Sequence, residues 1–155
     1  MKDKKSPVFA LVMAGIILAF GIGLRVKQAI DDRRPVMTVV TIADHQFEVE
    51  VADTAGKKEL GLGKRDSLAA GKGMYFPFPN AQYWVFWMKD MRFAIDIIWI
   101  QDGKVVDISR DAPPPKGEEE PATFSPTSPA DAVLEINAGA SAGIKAGDSV
   151  ELKPQ

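Results

Sequence analysis

The residues with most chemistry to offer lie in one run, Phe86 to Ile100. Trp87, Lys89, Asp90 and Arg92 crowd its first half, and Asp96 stands alone in Ala94-Ile95-Asp96-Ile97-Ile98-Trp99-Ile100. A charge inside a buried strand is costly unless an opposite charge, a hydrogen-bond donor or a ligand answers it. On a strand over 94–100, Ile95, Ile97 and Trp99 face one side while Asp96, Ile98 and Ile100 face the other. That apolar setting would raise the pKa of Asp96 unless a cation lies near, and Lys89, Arg92 and Arg65 are the candidates. If Trp84–Lys89 and Ala94–Ile100 pair as two central strands, Trp87, Lys89 and Asp96 come close together.

Three kinds of role follow. A Lys89–Asp96 ion pair beneath a tryptophan would fix the hairpin and do nothing else. The same groups could instead line a small polar pocket with an aromatic floor, suited to a sugar or another hydroxylated ligand. Its candidate face is Trp87, Lys89, Asp90, Asp96 and Arg65, with Tyr75 and Glu135 as outer members. Hydrolysis of an envelope polymer would need two carboxylates about 5–10 Å apart, Asp96 with Glu135 or with Asp90. The leading expectation is a binding or accessory module; the alternatives are the hydrolase and a purely structural or protein-interaction domain.

Other chemistries lack their parts. His45 is the one histidine and there is no cysteine. Neither a histidine-based triad nor a zinc site can be assembled, so no metal and no cofactor is expected. Gly61-Leu62-Gly63 has no following Gly-Lys-Ser/Thr and is no phosphate loop.

The elements that must position these groups are short strands. Val36–Ile42 is rich in β-branched residues, and Phe47–Val51 alternates apolar with charged, which predicts a hairpin turning through Ala43–Gln46. Thr54 can cap a short helix ending at Leu60, stopped by Gly61 and Gly63. Met74–Phe78 predicts a strand with an edge position or bulge at Pro77. Asp102-Gly103 is a tight-turn signal between Ile100 and Lys104. Residues 111–129 hold six prolines and a triple glutamate, and predict a long surface loop, extended or partly disordered. Ala132–Ile136 and Ser149–Leu152 supply the last strands. The expected fold class is mainly β: a compact antiparallel sandwich or barrel-like domain over 35–155 with one short helix.

The start of the chain reads separately. Lys2, Lys4 and Lys5 precede an uncharged 17-residue run, Val8–Leu24. As a helix it would be about 26 Å long, near the lower limit for crossing a bilayer core. Residues 1–24 are therefore expected to be a single-pass membrane anchor or, alternatively, a cleaved signal segment. A charged linker follows over 25–34. The basic N-terminus places the rest outside the cytoplasm, tethered through residues 8–24, or secreted if the segment is cut. Beyond residue 24 the chain carries 16 basic and 20 acidic residues, with no basic stripe to neutralise phosphates. Nucleic acid is not an expected partner. Nothing in the sequence sets an oligomeric state.

Taken in order, Val51-Ala52-Asp53-Thr54, Glu59-Leu60-Gly61-Leu62, Arg65, Leu68, Gly73–Phe76, Phe86–Met91, Ile95–Ile100, Asp102-Gly103, Phe124-Ser125-Pro126, Val133-Leu134-Glu135 and Gly143-Ile144 form a pattern. With Pro129-Ala130, Ala138-Gly139 and Gly147-Asp148 it spans about 100 residues. It resembles the family catalogued as domain of unknown function 192. The resemblance implies a single, mainly β domain, often exported or membrane-tethered, with no established activity. Two positions depart from the usual pattern: Gly63, where methionine or serine is common, and Ala94, where proline is common. Neither removes a charge from the candidate face.

Overall fold

The computed structural model describes residues 35–154. The expected anchor at 1–24 and the linker up to residue 34 lie outside the described residues. Among the described residues no helix is long and apolar enough to cross a membrane.

The β-branched Val36–Ile42 forms β1 and His45–Val51 forms β2, paired from Val36↔Val51 to Ile42↔His45. Thr38, Val40 and Ile42 point inward in alternation, as do Phe47 and Val49. The turn is tighter than Ala43–Gln46. His45 lies in β2 rather than in the turn, stacked on Phe47 at 6.1 Å. Thr54 caps α1 (Ala55–Leu60), its hydroxyl accepting from the Lys57 amide at 3.3 Å. That helix carries the chain over to β3 (Lys72–Gln82), which consequently pairs with β2 in parallel.

β4 (Phe86–Trp87) comes next, followed by β5 (Ile95–Gln101) and β6 (Lys104–Ala112). β7 (Thr123–Phe124), β8 (Ala130–Asn137) and β9 (Val150–Pro154) complete the chain. Asp102 and Gly103 join β5 to β6 with φ of 49° and 69°, the left-handed pair that a two-residue hairpin of type I′ requires. Pro77 pairs with Ala132 at a register shift in β3, beyond the last β2 partner at Tyr75. It thus sits on a locally free edge, where a missing N–H is tolerated.

Among the described residues the fold is mainly β with one short helix; two facing antiparallel sheets are not formed there. Seven strands in the order β6-β5-β8-β3-β2-β1-β9 form one curled half-barrel sheet, with β4 and β7 as a second, small sheet. At one end Val150 N–H donates to Gly103 O at 2.8 Å and Val105 N–H to Asp148 O at 2.9 Å, bringing the two edges of the curl together. Both faces of the large sheet are apolar. Val40, Phe47, Ile98, Leu134 and Ile136 fill one side. Phe76, Ile95, Ile97, Trp99 and Val133 are covered on the other by Leu62 and Leu68 of the loop after α1 and by Phe86 and Phe124 of the small sheet.

The expected hairpin of Trp84–Lys89 with Ala94–Ile100 does not form. β5 has β6 and β8 as neighbours, and β4 pairs with β7 through Phe86↔Phe124. Two strand-forming stretches adjacent in sequence part because β8, arriving from far along the chain, takes the place beside β5. The proline-rich 111–129 segment is ordered by that same small sheet, to which it contributes β7.

Candidate functional site

Phe86 and Trp87 point to opposite sides of their strand. Phe86 turns inward, edge-on to Phe76 at 5.1 Å and to Trp99 at 5.4 Å. Trp87 is thereby turned outward and is 49% exposed. The chain then bends through Met88–Met91, with both methionines buried and Asp90 in the left-handed region at φ 60°. Lys89 lies over the Trp87 ring, its ammonium 4.7 Å from the ring centre, a favourable cation–π distance.

The end of α1 forms the facing wall. Gly61 closes the helix at φ 52° with its N–H on Lys57 O, and buried Leu62 pins the loop to the core. The Lys64 amide donates to Asp90 O at 2.8 Å, tying this loop to the Met88–Met91 bend. Gly63 stands where the two backbones come closest. A Cβ there would be 2.8 Å from Leu60 O and 3.3 Å from Lys89 O. Between these walls is a cleft of about 250 Å³ lined by Gly56, Glu59, Leu60, Lys64, Trp87, Lys89 and Asp90. Glu59, Leu60, Trp87 and Lys89 also border a narrower recess of about 30 Å³, which reaches Phe76, Phe86, Met91 and Glu135.

Glu135 comes from β8, between Met74 of β3 and Ile97 of β5. It is buried, and its Oε2 has no hydrogen-bond partner. Burial pushes its pKa up to about 8, against the opposing pull of Arg65. Arg65 cannot do more, because it holds Glu50 through two contacts of 2.5 and 2.8 Å. The Glu50 carboxyl is held below its ordinary range by that bond. At neutral pH the recess therefore ends on an undissociated acid, able both to donate and to accept a hydrogen bond.

Asp96 is elsewhere. It shares a face with Ile98 and Ile100, as its alternation predicts, but Glu135 projects from the opposite face of the sheet. Its partner is not Lys89. Its two oxygens accept from the Asp111 amide at 2.9 Å and the Ser141 amide at 3.0 Å. Burial alone would raise its pKa; these amides more than reverse the effect and leave it lowered. This fully buried carboxylate, with each oxygen held by a backbone donor, fastens the end of β6 to the loop that follows β8. Asp96 and Glu135 cannot form a facing carboxylate pair, and the ion pair expected between Lys89 and Asp96 is absent.

Of the seven candidate residues, the structure gathers Trp87, Lys89 and Asp90 around one cleft, and Glu135 lies in the recess that shares its Trp87 and Lys89 wall. Arg65 acts on Glu135 only at a distance. Tyr75 packs toward the other core, where burial and then Asp131 push its hydroxyl pKa to about 12. Lys64, Glu59 and the Leu60-Gly61 wall were not among the candidates. Their signal was Gly61-Leu62-Gly63 itself, a positive-φ glycine and a close-approach glycine around a buried leucine.

A family model described as DUF192, an uncharacterized ACR, matches residues 38–152. Among solved structures, a protein of unknown function from Novosphingobium aromaticivorans DSM 12444 is similar at 34% identity. The match covers 76% of this chain and 84% of that one, with a TM-score of 0.66. A protein of Sinorhizobium meliloti 1021 described as a candidate transcription regulator is similar at 29% identity, over 77% of this chain and 94% of that one, again with a TM-score of 0.66. No curated protein matches the chain.

Proposed function

The chain belongs to the uncharacterized family DUF192, and from that premise we propose that it is a binding module for a small polar, carbohydrate-like ligand. Its site is the cleft between α1 and the Trp87–Asp90 bend. In this reading the apolar N-terminal segment tethers the domain outside the cytoplasm. One observation carries the proposal: a half-exposed indole flanks a cleft lined by Glu59, Lys64, Lys89 and Asp90, and the recess that shares its Trp87 and Lys89 wall ends on a carboxyl with unused hydrogen-bonding capacity. Aromatic faces beside polar groups suit ligands with an apolar ring face and a polar rim. About 250 Å³ accommodates a single sugar ring rather than a polymer segment.

The hydrolase alternative loses its support, since it relied on Asp96 as one of two facing carboxylates. The test is a titration of the full-length protein with neutral hexoses, hexosamines and polyols, read by tryptophan emission. Trp87→Phe serves as the spectral control and Trp87→Ala as the binding variant. The reading expects a saturable change in emission and, by calorimetry, a binding heat that Trp87→Phe retains in part and Trp87→Ala abolishes while its circular dichroism stays that of the parent. Equal binding heats from the parent and Trp87→Ala, or no response to any probe, would overturn it.

A further inference from the structure

We propose that the recess behind Trp87 is a subsite for one uncharged hydroxyl-bearing arm of the ligand, such as a hydroxymethyl group, which hydrogen-bonds to the carboxyl of Glu135. The inference rests on the binding reading above and narrows it to a chemical class.

Size is the first constraint. A recess of about 30 Å³ exceeds the 10–15 Å³ that one water requires, yet no ring fits into it. A branch of about two heavy atoms is the natural occupant. The walls are the second. Leu62, Phe76, Phe86 and Met91 present carbon and sulfur, which suit a methylene and offer nothing to an ion.

Hydrogen bonding is the third constraint. Oε2 of Glu135 is buried and unpartnered, 3.7 Å from the point a Cβ on Gly61 would occupy. A glycine at this position therefore leaves room beside the carboxyl. The charged groups around the recess argue against an ionic occupant. Arg65 is held by Glu50. Lys58 donates to Pro77 O and sits over Phe78, and Lys89 covers Trp87 at the mouth. Glu59 is the acid at the rim. A cation would have to pass two lysines and ionise Glu135 in apolar surroundings. An anion would meet an acid flanked by aromatic rings. A hydroxyl can accept a hydrogen bond from the acid O–H and donate one to the carbonyl oxygen, satisfying both groups without separating charge.

The experiment uses three probes of similar size on the full-length protein: ethylene glycol, methylammonium and formate. The 13C resonances of the Glu135 carboxyl and the Met91 methyl report occupancy of the recess. Ethylene glycol is expected to shift both saturably, and the two ions to leave both in place. Glu135→Gln, whose amide also donates and accepts, should keep glycol affinity within about threefold. Glu135→Leu should weaken it by about tenfold or more, read at Met91. A shift caused by methylammonium with a fall in the Glu135 pKa would identify a cation site and overturn the proposal. A shift caused by formate alone would overturn it in favour of an anion. If no probe moves either resonance while saccharides still perturb Trp87, the subsite is wrong and the binding reading survives. If Trp87 is silent too, both fall.

Discussion

Two buried acids, one strand apart in the same sheet, have opposite fates. Asp96 is paid back for its burial by the Asp111 and Ser141 amides, whereas Glu135 has a distant arginine and an empty bond on Oε2. Their pH signatures should differ in sign. Unfolded Glu135 releases its proton near 4.5, but in the folded chain it keeps it to about 8. Between those values the folded state binds more protons than the unfolded one. Stability therefore falls as pH rises through this window, by up to about 1.4 kcal/mol per pH unit, and levels off above it. Glu135→Gln should match the parent near pH 5 and exceed it by a few kcal/mol near pH 9 in urea unfolding. Asp96 works the other way. Its lowered pKa contributes stability above 3.8 that is lost as pH falls through the folded value. Asp96→Asn leaves one buried acceptor gone and the Asp111 and Ser141 amides poorly matched. It should cost about 1–3 kcal/mol at neutral pH and leave ligand-induced changes at Trp87 unaltered. The alternation of residues 94–100 was legible from sequence and placed Asp96 on the correct face. Its partners were not, because they are backbone amides, which any residue type could supply.

At the level of elements, local signals served well and non-local pairing did not. Thr54, Leu60 and Gly61 mark the bounds of α1, and Asp102-Gly103 marks its turn, because capping and positive φ are short-range demands. The sheet order could not be read. β8 enters between β5 and β3, and β4 finds β7 instead of β5. This insertion brings Glu135 beneath the α1 loop and moves Asp96 away from Trp87. The loop and the bend beside it act as one element, joined by the Lys64–Asp90 backbone bond and fitted together at Gly63. Gly63→Ala would press a methyl to 2.8 Å from Leu60 O and 3.3 Å from Lys89 O. It should lower stability by about 1–3 kcal/mol, and hydrogen exchange should rise first at the Lys64 amide. A change confined to global unfolding, with that amide still protected, would show that the two walls are not coupled.

For the whole molecule, the large sheet is apolar on both faces, so the domain has one core inside the curl and another beneath the loop after α1 and the small sheet. The candidate cleft opens above the second core, and the cleft of about 430 Å³ lined by Asp96, Arg110 and Ser141 lies beside the other face. The larger cleft has Asp96 already held by backbone amides and the Ser141 hydroxyl as its unpartnered group, whereas the recess adjoining the smaller one ends on the unpartnered Glu135 carboxyl; the proposal follows that carboxyl rather than the volume. One measurement separates them most directly. Ligand-induced 13C and 15N shifts are mapped across the full-length protein during titration with the saccharide that perturbs Trp87. The account predicts shifts concentrated at Trp87, Lys89, Met91 and Glu135, with Asp111 and Ser141 unmoved. Shifts centred on Asp96, Arg110 and Ser141, with Glu135 silent, would contradict it.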